Sequence, residues 1–168
     1  MKQGPRYRVK PRRRREGRTD YRKRLRLLKS GQPRVVVRKS LKHVRVQFIE
    51  YQQGGDTVRA SAVSSELVSR YGWKYATATA PAAYLTGLLA GHRAREKGIK
   101  DGVLDLGRHL PIRGGNVFAA LKGVLDAGIT VPHDEGTLPG EDRLKGNHVS
   151  KEVTSVTTTI KEKIIGGK

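Results

Sequence analysis

Cysteine is absent from the 168 residues of this chain, which excludes disulfides, thiolate zinc sites and thiol nucleophiles and fits a reducing compartment. No run approaches the ~18 consecutive apolar residues of a membrane span, and the Arg-laden start has no apolar stretch to serve as a signal peptide. A cytoplasmic protein with no membrane partner is expected. Neither Gly-Lys-Ser/Thr nor G-x-G-x-x-G occurs, so a nucleotide-cofactor loop is unsupported. His43, His92, His109, His133 and His148 form no H-E-x-x-H or H-x-H pattern, and a metal site is not expected. His133-Asp134-Glu135 sits in a stretch with no predicted element to hold an acid-base pair. Asp105, at the end of a buried strand, lacks the neighbouring carboxylates needed to clamp two metal ions, so it reads as structural or as an anchor for a nearby Arg. No catalytic residue, cofactor or small-molecule substrate is expected.

Acidic residues are almost missing from one region only. Of 35 Lys and Arg, 19 lie in the first 45 positions against Glu16 and Asp20, giving 19 − 2 = +17 there; the other 123 residues carry 16 basic and 13 acidic groups, or +3. The protein is a nearly balanced body with a cationic arm, the asymmetry of a polyanion binder. A phosphate backbone is the matching partner.

The arm, residues 1–31, contains Pro5, Pro11, four consecutive arginines and almost no large aliphatic before Leu25. It cannot bury enough apolar surface to offset its ordering entropy and reads as disordered until bound. A short helix capped by Thr19 or Asp20 is compatible with Tyr21, Leu25 and Leu28. The body spans residues 32–132. Period-two patterning predicts strands at Val35–Lys39, Val44–Tyr51 and Thr57–Val63, an antiparallel meander whose second strand turns Val44, Val46 and Phe48 one way and Arg45, Gln47 and Ile49 the other. Ser64 or Ser65 caps a short helix to Tyr71. A helix from Pro81 to before Gly98 presents Tyr84, Leu85, Leu88, Leu89 and His92 as one stripe. Val103–Leu106 reads as a buried strand, Asn116 caps a helix with Val117, Leu121, Val124 and Leu125 inward, and Ile129–Val131 is a last short strand. The expected fold is α/β, with a single mixed sheet of about five strands, an antiparallel meander followed by β-α-β-α-β, helices packed on it and an extended basic N-terminal arm. Residues 133–168 form a polar, loop-like extension; Val153, Val156, Ile160 and Ile164 allow a final amphipathic helix that the Thr157-Thr158-Thr159 run opposes.

Three constellations suit RNA. In the arm, Arg6, Arg8, Lys10, Arg12, Arg13, Arg14, Arg15, Arg18, Arg22, Lys23, Arg24 and Arg26 supply phosphate contacts, and Tyr7 and Tyr21 supply stacking faces. A nuclear-import signal or a solvated tail is the bland alternative. Arg38, Lys39, Ser40, Lys42, His43 and Arg45 cluster at a predicted hairpin tip that can reach across a groove toward phosphate and 2′-OH groups, though lysines guarding an edge strand would look alike. Arg108 and Arg113 flank a glycine-containing strand-to-helix loop, which the residues leave equally open as a phosphate cradle or an ordinary connector.

Gly4-Pro5-Arg6-Tyr7-Arg8-Val9, Arg12-Arg13-Arg14-Arg15-Glu16-Gly17-Arg18-Thr19-Asp20-Tyr21, Arg24-Leu25-Arg26-Leu27-Leu28-Lys29-Ser30-Gly31, Arg38-Lys39-Ser40, His43-Val44 and Tyr84-Leu85-Thr86-Gly87-Leu88-Leu89-Ala90-Gly91 closely resemble the archaeal branch of the large-subunit ribosomal protein eighteen family, the universal 5S-rRNA-binding protein. The resemblance runs from about Gly4 to His148. It implies an RNase-H-like mixed-sheet domain without nuclease activity, held in the large ribosomal subunit. Its partners would be 5S rRNA, large-subunit rRNA, reached by the arm, and the large-subunit protein five family in the central protuberance. A non-ribosomal packaging protein and a ribonuclease are the rival readings.

Overall fold

The computed structural model describes residues 4–166, so the first three residues of the expected arm and the last two of the C-terminal extension lie outside it. Arg12–Arg15 (α1) and Tyr21–Leu28 (α2) precede the strands Arg34–Lys39 (β1), Val44–Glu50 (β2) and Thr57–Val63 (β3). Ser65–Tyr71 (α3), Ala80–Glu96 (α4), Val103–Asp105 (β4), Asn116–Asp126 (α5), a 3-10 turn at Glu135–Thr137, Glu141–Lys145 (α6) and Lys151–Ile165 (α7) follow.

The meander forms as its alternation dictates. β1 and β2 pair antiparallel with Val35 opposite Phe48 and Val37 opposite Val46; β2 and β3 pair antiparallel with a bulge at Phe48/Ile49. Val35, Val37, Val44, Val46 and Phe48 are fully buried on the helix side, each burial contributing roughly 1.5–3 kcal/mol. After α3 and α4 the chain returns at the opposite edge, where β4 runs parallel to β1 and completes the order β3-β2-β1-β4.

The fifth strand expected at Ile129–Val131 does not form. Thr130 makes a single parallel bridge to Asp101, and Pro132, with no N–H, follows at once. Ile129 and Val131 are buried, so their apolar pattern is satisfied by core packing without a ladder. β4 also stops one residue short of the expected strand, because the Asp105 carboxylate accepts the Gly107 N–H at 2.7 Å and turns the chain.

α4 is not a one-stripe helix: 13 of its 17 residues are buried, and His92 is half-exposed. It lies against the sheet on one side, α5 on another and the C-terminal helices on a third. Small residues let the two helices meet backbone to backbone. A methyl group at Gly87 would collide with the Ala120 carbonyl, and one at Gly123 with the Tyr84 carbonyl.

Two expected caps serve other partners. Ser64 Oγ accepts the Val44 N–H at 3.0 Å, stitching α3 to β2, and the Asn116 amide donates to the Ala78 carbonyl, leaving Gly115 at the α5 N-cap position. In the segment expected as loop, α6 and the 3-10 turn appear and Leu144 is buried. α7 is capped by Ser150, which accepts the Val153 N–H at 3.3 Å, and it buries Val153, Thr157, Ile160 and Ile164 in the same core. The threonine run is accommodated because Thr157, Thr158 and Thr159 each donate to the carbonyl four residues back.

Candidate nucleic-acid interface

α2 begins at Asp20, whose carboxylate accepts the N–H groups of Arg22 at 3.0 Å and Lys23 at 3.1 Å. The Lys23 N–H is the chief reason this carboxyl lies below its usual range, with the Arg22 N–H and the two cations assisting against slight desolvation. Capping turns the helix so that Arg24 faces the sheet. Its guanidinium grips Asp56, in the β2–β3 turn, at 2.8 and 2.9 Å.

Asp56 is the first step of an ion ladder crossing the solvent face of the sheet. Arg34 donates to Asp56 at 2.6 Å and to Asp105 at 2.8 Å; Arg38 reaches Asp105 at 3.2 Å and donates to the backbone carbonyls of Asp105 at 2.7 Å and Val37 at 2.8 Å. Arg34 is only 3 % exposed, and its Nε has no partner. It therefore depends on both carboxylates to offset its desolvation. Burial alone would raise the Asp105 carboxyl, but the Arg38 charge, the Gly107 N–H and the two guanidinium hydrogen bonds outweigh it and hold it below the carboxylate range. The reading of Asp105 as an arginine anchor is what the geometry shows, with two arginines rather than one.

Two further contacts gather loops around this face. Arg108 donates to the Gly17 carbonyl, joining the β4–α5 loop to the arm, and the Lys39 N–H points at His109 Nε2 at 3.3 Å. His109 is pushed below its ordinary value by burial and then by the charges of Arg38 and Lys39.

The expected RNA-binding residues are thus spread over several concavities and the open surface. Arg13, Arg18, Tyr21 and Lys23 line, with Arg38, a groove of about 590 Å³ between the arm and the solvent face of the sheet. Arg14, Arg22 and Arg108 line a neighbouring depression, and Lys39 with Arg108 edges another near His109. Exposed and outside these concavities lie Arg6, Tyr7, Arg8, Lys10, Arg12, Arg15, Arg26, Lys42, Arg45 and Arg113. Two members of the hairpin cluster are engaged locally: Ser40 Oγ accepts the N–H groups of Lys42 at 3.3 Å and His43 at 2.9 Å, and His43 Nδ1 faces Thr77 at 3.3 Å. Tyr51, Gln52, Gln53 and Arg34 also line the large groove and were not singled out from the sequence. The alternation of β2, which turns Gln47 and Ile49 away from the core, extends to Tyr51 and was the available signal. Among the described residues, no three His, Asp or Glu side chains group as metal ligands.

A family model for the ribosomal large-subunit proteins 60S L5 and 50S L18 matches residues 5–102. Large ribosomal subunit protein uL18 of Aeropyrum pernix is 54 % identical over 151 residues, covering 90 % of this chain and 71 % of its own length. The chain belongs to the uL18 family. The uL18 proteins of Korarchaeum cryptofilum and Haloarcula marismortui match at 54 % and 52 %, covering 89 % and 90 % of this chain and 76 % and 80 % of their own lengths. The family match takes in the arm, the meander and α4, and with them Arg24, Asp56, Arg34 and Arg38; Asp105 lies three residues beyond it.

Proposed function

We propose that this chain is a structural, non-enzymatic constituent of the large ribosomal subunit that binds 5S rRNA and helps attach it to large-subunit rRNA in the central protuberance. Its membership of the uL18 family supports the ribosomal role. The observation that carries the RNA reading is the meeting of residues 1–31, with 14 basic against 2 acidic residues, and a cationic groove on the body, held together by Arg24 on Asp56 and Arg108 on Gly17. Phosphate neutralisation supplies most of the affinity, while the groove, the hairpin tip and the 108–113 loop supply shape.

In this reading residues 1–31 are an RNA-binding arm reaching between two RNAs, residues 32–132 are a 5S-rRNA-binding body of RNase-H-like type, and residues 133–168 are an extension. A protein of the large-subunit protein five family is the neighbour on 5S rRNA, and the complex resides in the cytoplasm. Filter binding of labelled 5S rRNA at physiological salt, against an unrelated structured RNA and duplex DNA, tests it. A clear preference for 5S rRNA is expected; equal binding to duplex DNA would point instead to a general packaging protein.

A further inference from the structure

We infer that the groove between α2 and the solvent face of the sheet is a subsite for an unpaired RNA segment, its bases stacking on Tyr21 and Tyr51. This rests on the RNA-binding reading above and specifies which form of RNA enters this part of the surface. The volume of about 590 Å³ lies in the ~300–1,000 Å³ range of sites that enclose small ligands. That scale suits an unpaired nucleotide.

Charge complementarity identifies the occupant. Six cations line the groove, Arg13, Arg18, Lys23, Arg24, Arg34 and Arg38, against Asp20, Asp56 and Asp105. All three carboxylates are already engaged, Asp20 by the first N–H groups of α2 and the other two by the ladder arginines. Arg34 is buried in the ladder and Arg18 reaches Glu16 at 3.0 Å, which among the described residues leaves Arg13 and Lys23 without a carboxylate ion pair; with six cations against three carboxylates in its lining the groove still suits a phosphate chain.

The walls carry the rest of the chemistry. Tyr21 is 38 % and Tyr51 57 % exposed, so neither ring is committed to the core. An exposed tyrosine ring is a surface on which a base can stack, and stacking of this kind is tolerant of sequence. Gln47, Gln52 and Gln53 line the same space, and each amide both donates and accepts, as recognition of a free Watson–Crick edge requires. In a duplex those edges are occupied. Arg24 Nη2, donating to both Asp56 oxygens, ties α2 to the sheet before RNA arrives, which lowers the ordering entropy of binding.

The test uses the full chain with p-benzoylphenylalanine in place of Tyr51, bound to 5S rRNA, irradiated and mapped by primer extension. Adducts at nucleotides lacking a Watson–Crick partner are expected. In parallel, Tyr51→Ala should weaken 5S rRNA binding about five- to a hundredfold, the range for one lost stack, while Tyr51→Phe keeps wild-type affinity and both keep wild-type Tm. Adducts confined to paired nucleotides, or no adduct from a chain that still binds 5S rRNA, would overturn the subsite and leave the RNA-binding reading standing. Failure of the wild-type chain to bind 5S rRNA would remove that reading and the subsite with it.

Discussion

Replacing Asp105 by Ala removes the acceptor that joins β1, β4 and the turn after β4. Its carboxylate receives Arg34 at 2.8 Å, Arg38 at 3.2 Å and the Gly107 N–H at 2.7 Å. Removing one partner of a buried ion pair costs about 3–5 kcal/mol, because the other charge stays buried. Here Arg34 is left with Asp56 alone and an Nε that already lacks a partner. Arg38, with a side chain 40 % exposed, can turn to water, so the lower end, about 3 kcal/mol, is expected. For a chain of this size that lowers Tm by roughly 6–12 °C, read by circular dichroism at pH 7. Asp105→Asn keeps an acceptor for Gly107 but not the charge, and should fall between Ala and wild type. The pH dependence has a definite sign. The folded carboxyl lies below its unfolded value of about 3.9, so its stabilisation is fully present above that value and is lost as pH falls through the folded pKa. The gap between wild type and Asp105→Ala should therefore narrow on acidification. A variant melting within about 2 °C of wild type at pH 7, where roughly 6–12 °C is expected, would refute the ladder as a buried charge network.

Gly87→Ala should destabilise by about 1–3 kcal/mol or more, since the methyl meets the Ala120 backbone rather than a movable side chain; urea denaturation measures it. Alanine at Lys39, Lys42 and Arg45 together should weaken 5S rRNA binding in a filter assay while leaving Tm unchanged, because all three are exposed; wild-type affinity would place the contact elsewhere. Deleting residues 1–31 should flatten the salt dependence of 5S rRNA binding. The intact chain is expected to lose ~10³–10⁵ in affinity between 50 and 200 mM salt, the scale for 6–10 phosphate contacts on duplex DNA. An unchanged slope would mean that the arm is not the main phosphate contact.

Several features of this protein are written in residues a few positions apart. The meander follows from the apolar Val35-Val36-Val37 run of β1 and the alternation in β2, the start of α2 from Asp20, and the face of α7 from Val153, Ile160 and Ile164. Charge asymmetry and the missing ligand and loop motifs are equally local, so a polyanion-binding reading required no coordinates.

Other features depend on distances that no window contains. Ile129–Val131 has a strand's composition but only a bridge to Asp101, because a ladder also needs a partner edge and a run of N–H groups, and Pro132 ends the run. α4 has an apparent stripe yet is enclosed on nearly every side, since its glycines and alanines admit α5 at backbone distance. The ladder joins residues separated by 32, 22, 71 and 67 positions. In the sequence Arg24 and Arg38 look like two more phosphate contacts, and Arg34 is not singled out. Periodicity and net charge are set by neighbouring residues, and the sequence alone determined them. Which cation is held by a carboxylate and which is left facing the groove depends on which strands become neighbours, and only the tertiary structure decided that.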